Sequence, residues 1–196
     1  TAEIAKKVNE KILTAIYEPV LCPVKPEKIF GMQKALDVIL AGEPESIIVD
    51  LAKNGLKAKG IIFSKNCTIV RNETAPVQDI SELSMPAYDL LPMELYSNIG
   101  VRYGRGCPFN CTFCVLGSKD QYSGLNKEIR FRNYEKILEE LEYVSRYGKV
   151  LDFLDETFTV SLEKAKKLCD KIVERKINVR WTCQTRVDKI DEEVLQ

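Results

Sequence analysis

Three cysteines with close, regular spacing stand in the run GRGCPFNCTFC: Cys107, Cys111 and Cys114, a C-x3-C-x2-C pattern. The chain of 196 residues holds seven cysteines and no histidine. Without histidine it lacks the commonest general base, the usual nitrogen ligand of zinc and any Ser-His or Cys-His nucleophile pair. Chemistry must then come from cysteine, carboxylates, Lys and Arg, or a cofactor. An odd cysteine count without a secretory pattern argues against a disulfide framework and for reduced thiols that bind metal.

Structural zinc takes four Cys or His ligands, and no fourth ligand lies near the triplet. A disulfide would pair two of the thiols and strand the third. Three thiolates suit an iron–sulfur cluster in which three irons are ligated and one stays open to a small molecule. Gly104 and Gly106 let the backbone turn closely around such a group, and Pro108 takes the chain out of the preceding strand. A non-catalytic zinc- or iron-binding module with an external fourth ligand is the competing reading. It would be colourless with zinc.

The elements that must position this loop are legible from periodicity. Downstream of Asn98 we expect a strand over 99–103, a helix capped by Asn133 with Ile137, Leu138, Leu141 and Val144 inward, and a strand over 150–154. A Ser161-capped helix with Leu162, Ala165, Leu168 and Ile172 inward follows, then a strand over 177–183 and a further helix capped by Asp191. Strand and helix alternating at these lengths mean parallel βαβ units, with chemistry beyond the carboxyl ends of the strands. Upstream, residues 1–17 read as one helix on Ile4, Val8, Ile12 and Ile16, with a short apolar stretch over 20–24 after it. A strand over 37–40 and a helix from Pro44, with Ile47, Ile48 and Leu51 inward and Asn54-Gly55 closing it, come next. A hairpin over 60–71 turns at Ser64-Lys65-Asn66, and residues 72–97, with Pro76, Pro86 and Pro92, read as a linker over a surface.

Composition excludes several classes. Basic and acidic side chains balance at 29 each, and the first 96 residues carry 11 basic against 13 acidic, so neither half has the basic excess of a phosphate-neutralising protein. No nucleic-acid partner is expected. No apolar run approaches the roughly 18–20 residues of a membrane span, and a cytoplasmic location is expected. There are no internal repeats.

The cysteine segment resembles the radical S-adenosylmethionine (SAM) superfamily, whose motif is C-x3-C-x-aromatic-C, with Phe113 as the aromatic. LDFLDETFTV and VRWTCQTRVDKIDEEVL are similar to the second and third barrel strands of members that carry an N-terminal cobalamin-binding domain. Those members include anaerobic ring cyclases, hopanoid-pathway enzymes and C-methyltransferases. DVILAGEPESIIVDLAKNG, the hairpin and SMPAYDLLP look like the end of that domain and its linker.

The resemblance implies an α/β architecture: the tail of a Rossmann-like cobalamin-binding domain over 1–72, a linker over 73–97, and the first β/α units of a partial TIM-type radical SAM barrel over 98–196. It implies a fragment of a longer enzyme. It makes Cys107, Cys111 and Cys114 the ligands of a [4Fe–4S] cluster whose open iron chelates SAM, so that one-electron reduction releases a 5′-deoxyadenosyl radical. Phe113 would lie by the adenine, while Asp155, Glu156 and Thr157 would receive the amino group of SAM. Gln184 and Arg186 would face SAM or substrate, with an interior salt bridge as the other reading of Arg186. A small-molecule substrate and a one-electron donor such as flavodoxin or ferredoxin are the implied partners. The family's cobalt-ligating histidine would lie upstream of Thr1, which leaves cobalamin open. A methylthiotransferase-like tRNA enzyme shares the motif, but it would bring a second cysteine set that Cys22 and Cys67 do not resemble. Cys22, Cys67, Cys169 and Cys183 read as small buried hydrophobes, and Lys127, Arg130 and Arg132 as a solvated basic face.

Overall fold

The computed structural model describes residues 2–17, 25–114 and 128–195. The described residues divide into two compact units, one of residues up to 78 together with 109–114, the other of residues 79–108 together with those from 128 onward.

The first unit is a four-stranded sheet in the order β1 (Ala15–Ile16), β2 (Val38–Leu40), β3 (Ile61–Lys65), β4 (Thr68–Arg71). β1 runs parallel to β2, and β2, β3 and β4 are antiparallel neighbours. Its helices are α1 (Ala2–Val8), α2 (Pro26–Met32) and α3 (Pro44–Asn54). Pro44 opens α3, where its missing N–H costs nothing, and Gly55 closes it by giving its N–H to the Leu51 carbonyl. Ile47 and Leu51 bury against Val38, Leu40, Ala58 and Ile61.

Several expectations for this unit need correction. The helix expected over 1–17 stops at Val8, because the Asn9 side chain accepts the Lys11 amide at 2.9 Å, and an Asx turn competes with the next helical bond. Ile16 therefore pairs with Ile39 in the sheet. Ile48 is exposed, so the inward face of α3 is narrower than expected. Ser64 and Lys65 stay paired with Ile69 and Thr68, and the turn is Asn66-Cys67, both at positive φ. Two such residues make the tight turn whose twist matches a hairpin. Cys67 is thereby exposed rather than buried. The stretch expected over 20–24, and Cys22 within it, lie outside the described residues.

The second unit is built on β5 (Asn98–Val101), β8 (Val150–Phe153) and β9 (Arg180–Cys183), parallel and in the order β5-β8-β9. Helix α4 (Tyr134–Ser145) joins β5 to β8 after a short antiparallel pair, β6 (Gly104–Arg105) with β7 (Arg130–Phe131). Helix α5 (Leu162–Glu174) joins β8 to β9, and α6 (Glu192–Leu195) follows. The expected caps are in place: Asn133 accepts from the Glu135 amide, Ser161 from Lys164 and Asp191 from Val194. Ile137, Leu138, Leu141 and Val144 of α4 meet Leu151 and Phe153 of β8 and Ala165, Leu168 and Ile172 of α5 in one core.

Residues 73–97 do more than cross a surface. Tyr88 and Met93, each in a short 3₁₀ turn, are buried in that same core. Arg132 also departs from expectation. It is buried and gives Nη1 to Glu140 Oε2 at 2.6 Å and to the Arg102 carbonyl at 3.2 Å, because Glu140 stands on the inward face of α4 and requires a cation there. Of the other basic residues grouped with it, Lys127 lies outside the described residues.

Candidate functional site

The cysteine loop leaves the sheet where β5 ends. Arg102 and Tyr103 follow β5, and Gly104-Arg105 pairs with β7 before Gly106 and Cys107. Tyr103 is fully buried among Phe131, Tyr134 and Phe158, which anchors the root of the loop in the core. On its other side the Tyr103 carbonyl accepts the Arg132 amide at 2.9 Å.

At the carboxyl end of the adjacent strand β8 stand Asp155, Glu156 and Thr157, and each engages the loop. Asp155 Oδ2 accepts the Tyr103 amide at 3.1 Å, and its Oδ1 accepts the Gly104 amide. Glu156 Oε1 pairs with Arg102 at 2.9 Å, and Oε2 accepts the Gly106 amide at 3.1 Å. Thr157 Oγ1 lies 3.9 Å from Cys107 Sγ and donates to its neighbouring Glu156 carbonyl at 2.8 Å. Asp155 is 5% exposed, and burial pushes its carboxyl up to about 6 against the lowering pull of the two amides and Arg102. The two glycines are conditions of this geometry. A Cβ on Gly104 would lie 2.8 Å from Asp155 Oδ1, and Gly106 has φ of 106°.

Cys107 is buried, and Cys111 and Cys114 are partly exposed. The Cys114 amide donates to the Cys111 carbonyl at 3.1 Å, closing a turn across the last two cysteines. Phe113, within that turn, is 91% exposed, so it is no part of a core. None of the described cysteines is in a disulfide. Among the described residues, no three Cys, Asp or Glu side chains stand together as a metal site. The donor set itself suits an iron–sulfur cluster: three thiols within eight residues, none of them in a disulfide.

Gln184 and Arg186 follow β9. The Gln184 carbonyl accepts the Phe158 amide at 2.9 Å, tying the ends of β8 and β9 together, while its side chain is exposed. Arg186 forms a two-pronged pair with Asp188, Nε to Oδ1 at 2.9 Å and Nη2 to Oδ2 at 3.0 Å, and this cation holds the Asp188 carboxyl below its usual range. Cys169 and Cys183 line one cavity of about 400 Å³ with Phe158 and Trp181, and burial pushes both thiols up. Sequence reasoning missed the buried triad in which Tyr88 gives its hydroxyl to Glu140 Oε1 at 2.7 Å and Arg132 holds Oε2. Its signal was present: Glu140 sits three residues after Ile137 and one before Leu141, within the apolar stripe.

Fold and loop together define an α/β protein in which the first cysteine of a closely spaced triplet follows the carboxyl end of a strand in a parallel sheet. No family model matches the chain. It is 33% identical to an uncharacterized methyltransferase of Pyrococcus horikoshii over 98% of this chain and 44% of that one. It is 25% identical to the anaerobic magnesium-protoporphyrin IX monomethyl ester cyclase of Rubrivivax gelatinosus, over all of this chain and 38% of the relative. Among solved structures it resembles the cobalamin-dependent SAM radical enzyme OxsB with aqua-cobalamin and SAM bound, with a TM-score of 0.73 at 20% identity over 97% of this chain and 28% of that chain. The radical SAM methyltransferase TsrM of Kitasatospora setae gives 0.67 at 19% identity, over 89% of this chain and 36% of that chain. The chain thus spans less than half the length of these relatives. The solved structures it resembles in fold are radical SAM enzymes, the superfamily whose motif the cysteine segment resembles.

Proposed function

We propose that this chain is the cluster-bearing part of a radical SAM enzyme, with residues 1–72 as the tail of a Rossmann-like cobalamin-binding domain and 98–196 as the first β/α units of a partial TIM-type barrel. The observation that carries this reading is the root of the cysteine loop, fixed at the carboxyl end of β5 by the carboxylates that end β8. That is where parallel β/α folds place their chemistry.

In this reading Cys107, Cys111 and Cys114 would hold a [4Fe–4S] cluster. A cluster held by these residues would supply the one electron needed to cleave SAM into methionine and a 5′-deoxyadenosyl radical, the chemistry for C–H activation such as methylation or cyclisation of a small molecule. The exposed Phe113 ring offers an apolar face to an adenine, and the Thr157 hydroxyl lies beside the first ligand. The Gln184 amide can bond a polar group at the end of β9. Arg186 can pair with a carboxylate if it exchanges Asp188 for it. Asp155 and Glu156 belong to the SAM side through the loop they hold. Cobalamin enters through the relatives, since the OxsB structure holds aqua-cobalamin, and these 196 residues offer cobalt no imidazole. A flavodoxin- or ferredoxin-like donor would supply the electron.

Anaerobic reconstitution with iron and sulfide, followed by metal analysis, tests the ligand set. A brown protein whose iron is lost in each of Cys107→Ala, Cys111→Ala and Cys114→Ala is expected. Full iron in all three variants would remove the assignment. With the full-length protein under dithionite, 5′-deoxyadenosine is expected from wild type and absent from Cys111→Ala.

A further inference from the structure

The residues that end β8 spend their charge on backbone. Between them, Asp155 and Glu156 engage three of the four amides from Tyr103 to Gly106, and the last of these is the residue before Cys107. Arg102 closes the set at the loop's root by pairing with Glu156. A carboxylate accepting N–H groups in a dry site makes the stronger kind of hydrogen bond, and Asp155 has almost no contact with water. Gly104 has the only side chain that lets Asp155 approach this closely without displacing it or Phe131. The loop has little freedom between β5 and Cys107.

We infer that Asp155 and Glu156 are positioning residues that clamp the cysteine loop, fixing Cys107 beside Thr157 and sheltering its thiol before any metal arrives. This deepens the proposed function and rests on its cluster site. The opposing view makes the same carboxylates acceptors for the ammonium of a ligand, with the loop contacts incidental. The two differ in the protein without metal or SAM, where the clamp acts and a ligand acceptor has nothing to do.

The experiment is alkylation of the metal-free protein by iodoacetamide under reducing conditions, with each cysteine followed by peptide mass spectrometry. In wild type, Cys107 should react far more slowly than the exposed Cys67. Removing a charge-assisted bond from the loop, as in Glu156→Ala, should speed Cys107 labelling about tenfold or more, with Cys67 and Cys169 unchanged. Glu156→Gln can still accept the Gly106 amide and should restore most of the protection. Asp155→Ala should act like Glu156→Ala. If that buried substitution prevents folding, the Glu156 pair decides alone. After reconstitution, Glu156→Ala should lose iron to a chelator faster than Glu156→Gln. Unchanged Cys107 labelling in folded Glu156→Ala would overturn the clamp, and weaker SAM binding by that variant would make the carboxylates ligand acceptors. If wild type shows the expected labelling but takes up no cluster, the clamp stands and the cluster reading falls.

Discussion

Asp155 and Gly104 touch so closely that a methyl group at position 104 would lie 2.8 Å from the carboxylate oxygen and 3.2 Å from the Phe131 ring. Gly100 is crowded to a similar degree, but by the end of the Leu154 side chain, which is half exposed and free to swing aside. Gly104→Ala should therefore destabilise the protein by ~1–3 kcal/mol, the usual cost of overpacking, and Gly100→Ala by clearly less. Urea midpoints of the two variants check this, and equal losses would show that the Asp155 contact has slack.

Asp155 also sets a dependence on pH. Its carboxyl titrates at about 6 in the folded chain against an ordinary 3.8, because burial opposes the charge. Between those values the folded state holds a proton that the unfolded state has lost, so this group's contribution to stability falls as pH rises from about 4 to 6 and is level above. The span corresponds to roughly 3 kcal/mol at most, at about 1.4 kcal/mol for each pH unit. Other carboxyls run the opposite way, Asp152 among them, since Thr182 and Asn98 hold it low. The difference between wild type and Asp155→Asn cancels those. Denaturation at half-unit steps from pH 4 to 7 should show wild type losing ground to the variant up to about pH 6, then a constant gap.

The buried triad gives a sharper loss. Glu140 is 1% exposed and takes both the Tyr88 hydroxyl and Arg132. Glu140→Ala strands a buried guanidinium and should cost about 3–5 kcal/mol, the usual penalty for breaking such a pair. Arg132→Met in the same chain should recover a large part of it. A double-mutant cycle by urea denaturation measures the coupling, and additive losses would show that the two charges are independent.

Cys67 serves as the control for the proposed cluster site. It sits exposed in the hairpin turn at φ of 62°, so Cys67→Ala should leave iron content untouched. Because an L side chain is strained there, Cys67→Gly should raise the melting temperature slightly.

The parts of this fold that were legible are those with a local cause. The parallel strands, the Asn133, Ser161 and Asp191 caps and the inward stripes of α4 and α5 follow from side-chain chemistry within a few residues of each position. The misreadings share a different origin. Ile16 has the spacing of a helix but pairs with Ile39, and Tyr88 and Met93 lie in a proline-marked stretch yet enter the core. Long-range burial decided both. At the site, the cysteine spacing was fully local. The service of Asp155 and Glu156 to backbone amides about 50 residues away was not, since a free acidic pair and a loop-holding pair have the same letters.

The order in which the loop and its holders appear along the chain gives the protein a biosynthetic clock. The thiol of Cys107 is made some 50 residues ahead of Glu156 and Thr157. At about 5–20 residues per second, translation leaves the loop unheld for roughly 3–10 seconds. During that window the nascent loop hangs from a strand whose parallel neighbour does not yet exist, exposed to oxidants and to stray metal. If the triplet holds a cluster as proposed, iron delivered then would meet a slack tether, and delivery after β8 has docked would meet a seat already shaped.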